Sequence, residues 1–91
     1  MQTQRDFILE PDDTERLANL AGPFDAHLRQ IELRMGVEIA NRGNVFRVSG
    51  DEASAVVRAE RVLRQLYDEA AGETLDEHAI HLRLGAHAGD A

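Results

Sequence analysis

Around Gly36 the spacing of apolar residues changes from one period to another. Leu28, Ile31 and Met35 recur at three and four positions, which gives a helix one apolar face; Val37/Ile39 and Phe46/Val48 alternate with polar or small neighbours, as half-buried strands do. Gly36 itself is a good helix-ending residue. The pattern predicts a turn at Gly22-Pro23, a helix over about residues 25–35, and strands over 37–40 and 45–49 joined by Asn41-Arg42-Gly43-Asn44. Upstream, residues 5–10 form a short apolar run stopped by Pro11, read as a first strand. Asp12, Asp13 and Glu15 then supply a capping carboxylate and an acidic first turn to a helix that buries Leu17, Leu20 and Ala21. Proline disfavours helical geometry in the residue before it, so Gly22-Pro23 ends that helix.

Downstream, Ser49 and Glu52 have capping-box spacing, and a long helix over 51–70 follows. Its buried stripe is Val56, Ala59, Leu63, Leu66, Tyr67 and Ala70, with Arg58, Glu60, Arg61, Arg64 and Asp68 on a solvated face. Thr74 and Glu77 repeat the box spacing ahead of a short helix over 75–84, ended by Gly85 and packed through Leu75, Ala79 and Leu82. The expected architecture is α+β in the order β-α-α-β-β-α. It has a three-stranded antiparallel sheet, helices on one face and a short C-terminal helix at the edge. Residues 4–84 make the domain, and 85–91 read as a linker or disordered tail.

The 91 residues suffice for one core, and with 43% hydrophobic but only 4% aromatic residues that core is aliphatic. There is no cysteine, hence no disulfide framework and no thiolate zinc site. No signal peptide or membrane-length apolar run is present, so the expectation is a cytoplasmic protein with no membrane partner. The net charge is -7, and every one of the ten basic residues is arginine. The absence of lysine excludes a Walker A lysine and Schiff-base chemistry. Of the blocks 1–25, 26–50, 51–70 and 71–91, only 26–50 is net positive, and weakly so, with four arginines against two glutamates.

Four histidines raise a metal question. His78 and His81, three apart, can share a helix face, but solvated histidines on an acidic helix are commoner; His27 and His87 stand alone. No carboxylate pair or Ser/His arrangement sits in a persuasive context, so the chain is read as no enzyme, with neither a catalytic nor a metal site.

Gly22 to Ile39, taken in register, resembles a KH domain, the RNA-binding module with a Gly-x-x-Gly loop between two helices. Gly22 stands at the first glycine, Leu28 and Ile31 at the apolar positions of the next helix, Gly36 at its C-cap and Val37/Ile39 on the second strand. The loop departs from the motif: it reads Gly22-Pro23-Phe24-Asp25, with an aspartate at the second glycine. Pro23 has no N–H for a phosphate, and Asp25 is placed to cap the helix with its own carboxylate. Gly22 with Arg29, Arg34, Arg42 and Arg47 are the candidate nucleic-acid-binding residues.

A wider resemblance spans residues 7–84. Leu9-Glu10-Pro11-Asp12-Asp13, Glu15-Arg16-Leu17-Ala18-Asn19-Leu20, Phe24-Asp25, His27-Leu28-Arg29-Gln30-Ile31-Glu32, Gly36-Val37-Glu38-Ile39 and Asn41-Arg42-Gly43-Asn44 together look like the N-terminal segment of the bacterial PhoH-like ATPases. The resemblance implies a KH-like accessory domain ahead of a P-loop ATPase domain, in a protein linked to phosphate starvation and RNA metabolism. ATP and Mg would belong to that ATPase half, since no GxxxxGK[ST] occurs in this chain and no cofactor is expected in it. The implied partners are the ATPase half, an endoribonuclease, ring neighbours and single-stranded RNA. Two roles stay open: a protein-docking module, favoured by the acidic balance and altered loop, and an RNA-guiding module, favoured by the fold and the arginines.

Overall fold

A computed structural model describes the backbone of residues 2–88 and the side chains of residues 2–85. Three strands, β1 (Thr3–Ile8), β2 (Glu38–Arg42) and β3 (Val45–Gly50), form one antiparallel sheet in the order β1-β3-β2. Helices α1 (Thr14–Ala21), α2 (Ala26–Met35), α3 (Ala53–Ala70) and α4 (Glu77–Ala88) complete the chain, with a short 3-10 turn at Pro23–Asp25. This is the α+β, KH-like architecture expected from the order of apolar periods.

The helices cover one face of the sheet because its strands alternate. Phe7, Phe46 and Val48 point into the core, and Phe7 stacks on its cross-strand partner Phe46 with centroids 6.0 Å apart. Their neighbours Asp6, Ile8, Val45 and Arg47 are exposed on the other face. Leu20, Leu28, Ile31, Val56, Leu63, Leu66 and Tyr67 complete an aliphatic core from the helix side. Arg42 is the last residue of β2 rather than part of the turn, which is the two-residue link Gly43-Asn44 with Gly43 at φ +59.

Helix ends differ most from expectation. Asp13 caps α1 as expected, its Oδ1 accepting from the Arg16 N–H at 3.2 Å. The Ser49/Glu52 box does not form: Ser49 is held in β3, and α3 begins after Glu52 with no side-chain cap. Thr74 does not cap α4 either. Asp76 does, accepting from the Ala79 N–H at 2.8 Å. The helix runs through Gly85 to Ala88, past the expected boundary, and residues 89–91 of the expected tail lie outside the described residues. Among its described side chains the buried ones are Ile80 and Leu84, while Leu82 is 59% exposed, and it packs on α2 and α3 rather than at the sheet edge. Starting the helix at Glu77 places Ile80 and Leu84, four apart, on the face toward the core.

Asn19 explains how the α3–α4 connection is held. Its side-chain amide donates to the carbonyls of Ala70 (3.1 Å) and Glu73 (2.8 Å), and its Oδ1 accepts from the Leu75 N–H at 2.8 Å. One side chain from α1 thus satisfies backbone groups at the end of α3 and just before α4, which would otherwise lack partners.

Candidate functional site

The link between α1 and α2 is built around Gly22 and His27. Gly22 has φ +78, and a Cβ added to it would lie 2.6 Å from the His27 ring. His27 is only 5% exposed, and its Nδ1 lies 3.2 Å from the carbonyl oxygens of both Asn19 and Leu20. Carbonyls only accept, so Nδ1 carries the proton and ties α2 to the end of α1. The first glycine of the loop is therefore required by packing.

Past Gly22 the chain turns through two left-handed residues, Phe24 (φ 54, ψ 34) and Asp25 (φ 59, ψ 27). Asp25, at the position of the second glycine, keeps a backbone that glycine favours, and its side chain makes no capping hydrogen bond to α2. The expected carboxylate cap is absent because the left-handed residue replaces the extended geometry that directs an N-cap side chain onto the helix. Left-handed conformation in a bulky residue such as Phe24 costs on the order of 1–3 kcal/mol. The turn nevertheless holds the Phe24 side chain 96% exposed.

Between α2 and β2 runs a shallow groove lined by Arg29, Glu32, Leu33, Ile39, Ala40 and Arg47. Its polar groups are largely taken. Glu32 reaches across from α2, its Oε2 accepting from the outward-facing Ile39 N–H of the edge strand at 2.7 Å. Arg47 donates in a two-pronged pair to Asp6, at 2.8 and 3.2 Å. That pair holds the Asp6 carboxyl below its ordinary range and raises the Arg47 guanidinium, mainly through the hydrogen bonds between them. Leu33, 85% exposed, stands as a ridge between this groove and a second depression lined by Pro23, Ala26, Leu75, Asp76 and Glu77.

The four candidate arginines do not converge. Arg29 and Arg47 line the groove, Arg42 lies beyond it toward the hairpin end, and Arg34 turns to α4, where its Nη1 donates to His81 Nδ1 at 2.9 Å. Among the described residues Arg29 and Arg42 have no ion pair. His78 and His81 do not belong to any metal-holding group among the described residues, and the side chain of His87 lies outside them.

What sequence reasoning missed is the set of acidic partners. Arg47 with Asp6 is a cross-strand pair, visible only once β1 and β3 are in register, and Glu32 with Ile39 needs the tight α2–β2 corner at Gly36. On the solvated face of α3 the missed pairing is centred on Glu60. Glu60 accepts from Arg5 at 2.5 Å and from Arg64 at 2.9 Å, while Arg58 and Arg61 have no ion pair among the described residues. Burial alone would raise the Glu60 carboxyl, but the hydrogen bonds from Arg64 and Arg5 outweigh it and hold the group below its ordinary range. No family model matches the sequence, and no solved structure matches the chain. Among the described residues no helix is long and apolar enough to cross a membrane.

Proposed function

We propose that this chain is the accessory KH-like domain of a PhoH-like P-loop ATPase of RNA metabolism. In this reading its groove face docks protein, either the ATPase half, a neighbouring subunit or an endoribonuclease, and takes RNA weakly at most. One observation carries the reading: in the groove most polar groups, Arg29 apart, are occupied from within, while the apolar Leu33 is bare. The Ile39 N–H is taken by Glu32 and Arg47 by Asp6, Pro23 has no N–H, and Asp25 adds a negative charge at the loop. A phosphate entering there meets few free donors and several carboxylates, and electrostatics supplies most of the non-specific affinity for nucleic acid. Phe24, in contrast, is an exposed aromatic of a type enriched at protein interfaces, and Leu33 is an exposed apolar side chain.

The other role, guiding single-stranded RNA to the ATPase through the groove, rests on Arg29 and Arg42, which have no ion pair among the described residues. A photocrosslinking residue in place of Leu33, in the domain joined to its ATPase half, distinguishes the two. Crosslinks to protein, unaffected by added single-stranded RNA at physiological salt, are expected. Crosslinks to the RNA instead would assign the groove to nucleic acid.

A further inference from the structure

The outer face of α3 carries a row of arginines on an acidic chain. Arg58, Arg61 and Arg64 follow one another at three-residue spacing, and Arg5 joins them from β1 through Glu60. Four arginines against that one glutamate leave a local net charge of three, on a chain whose total is -7. Asp68, at the far end of the helix, is occupied by Arg16 at 3.6 Å. Seventeen acidic residues were available to neutralise this face, yet Arg58 and Arg61 have no ion pair among the described residues. Like charges three apart on a helix repel; Arg64 is offset by its pair with Glu60 and by packing over the Phe7 ring, 5.0 Å from its centroid, but Arg58 and Arg61 have no such compensation among the described residues.

We propose that this face is a phosphodiester-binding stripe, with Arg58 and Arg61 as its main contacts and Arg64 and Arg5 beside them, taking the backbone of single-stranded nucleic acid without regard to sequence. The inference is independent of the docking role assigned to the groove. A partner that docks through apolar contact fits this face poorly, since the exposed large apolar residues, Ile8, Phe24, Leu33, Val45 and Leu82, all lie on other elements and leave it no apolar anchor. A polyanion needs no anchor, because release of its counterions drives binding. Guanidinium groups suit phosphate oxygens through paired hydrogen bonds. At 1.5 Å per residue, the six-residue step from Arg58 to Arg64 spans about 9 Å, enough for two or three successive phosphates of a flexible strand. The single exposed large aromatic residue, Phe24, is elsewhere, so bases find no stacking platform here and sequence goes unread.

The test is fluorescence anisotropy with labelled oligouridylate, an oligothymidylate of equal length and a salt series. Three neutralised phosphates give a slope of log affinity against log salt of about -2 for a single strand, hence roughly 20-fold weaker binding on a fourfold rise in salt. Wild type should follow that slope, with RNA and DNA bound within a few fold of each other. Arg58→Gln/Arg61→Gln should lower affinity roughly tenfold at low salt and cut the slope to about -0.7. Arg29→Gln/Arg42→Gln, in and beside the groove, should stay within about twofold of wild type. All four substitutions are at exposed positions, and thermal unfolding by circular dichroism checks that each protein is folded. The proposal is overturned if the α3 variant binds like wild type, if both variants lose affinity equally, or if wild type shows no salt-dependent binding. Binding to phosphatidylserine vesicles without binding to either oligonucleotide would overturn it in favour of a membrane surface.

Discussion

The α2–β2 groove and the outer face of α3 each carry arginines, and the two use them in opposite ways. In the groove Arg47 is held by Asp6 and the edge-strand N–H by Glu32, which leaves Arg29 without an ion pair among the described residues, with Leu33 and, on the adjoining loop, Phe24 bare. On α3, among the described residues, two arginines are left without ion pairs and no large apolar side chain is exposed beside them. The face proposed for phosphate is thus α3 and not the Gly22 loop to which the KH resemblance points. Fold sets where a site can be, and the side chains present decide what it takes.

The largest effect is expected where the groove side is anchored. Gly22→Ala places a methyl 2.6 Å from the buried His27 ring at a φ of +78. Urea unfolding should show a loss of about 2–4 kcal/mol, from overpacking and backbone strain together. Arg58→Gln/Arg61→Gln should shift stability by less than about 0.5 kcal/mol, because exposed side chains away from caps and core seldom matter more. Equal losses at the two places would break the contrast between a packed corner and an open stripe.

Asp25→Gly should stabilise the domain. The aspartate caps nothing and sits at φ 59, so glycine relieves left-handed strain without removing a hydrogen bond, for a gain of about 0.5–1 kcal/mol after the entropy cost of glycine. Removing its charge from the loop should also raise RNA affinity at the groove in low salt, a gain screened over about 10 Å at 0.1 M. A destabilised Asp25→Gly protein would restore the capping role that the sequence suggested.

Asp6→Asn sharpens the comparison from the other side, by releasing Arg47 into the groove. Single-stranded RNA binding should strengthen a few fold, and Arg29→Gln/Arg42→Gln should now weaken it. The Asp6 carboxyl should titrate below the ordinary 3.8 in wild type and return upward in Arg47→Gln, as read by NMR. Because the folded-state value is the lower one, any stability from the pair is present above the unfolded value and is lost as pH falls through the folded one. Smallest in stability are Phe24→Ala and Leu33→Ala, expected within about 0.5 kcal/mol of wild type, while both should weaken protein docking. Loss of stability from Leu33→Ala would make it a core residue and remove it from the docking face.

The elements and core were legible because apolar periodicity is local: Leu28 and Ile31 on a helix, and Phe46 and Val48 on a strand, declare their faces without knowledge of the rest. Gly36 closes α2 in the left-handed conformation that its position suggested. Caps were less legible. Ser49 has the right spacing to Glu52, but pairing with β1 and β2 holds it in the sheet, and Thr74 yields to Asp76. The site was least legible, since Asp6 and Arg47 are far apart in sequence and Glu32 bonds a backbone group that no side-chain pattern announces. Arg58 and Arg61 were visible as a helical surface stripe from the start. Their isolation from acidic partners needed the fold.

The most direct measurement is a backbone amide and arginine Nε NMR titration of the labelled domain with single-stranded oligouridylate at low salt. The largest shifts should fall on α3 from Arg58 to Arg64 and on the Nε groups of Arg58 and Arg61, with Gly22 to Arg29 and Glu38 to Arg42 little changed. Shifts concentrated on the Gly22 loop and β2, with α3 silent, would contradict the account and return the nucleic-acid site to the groove.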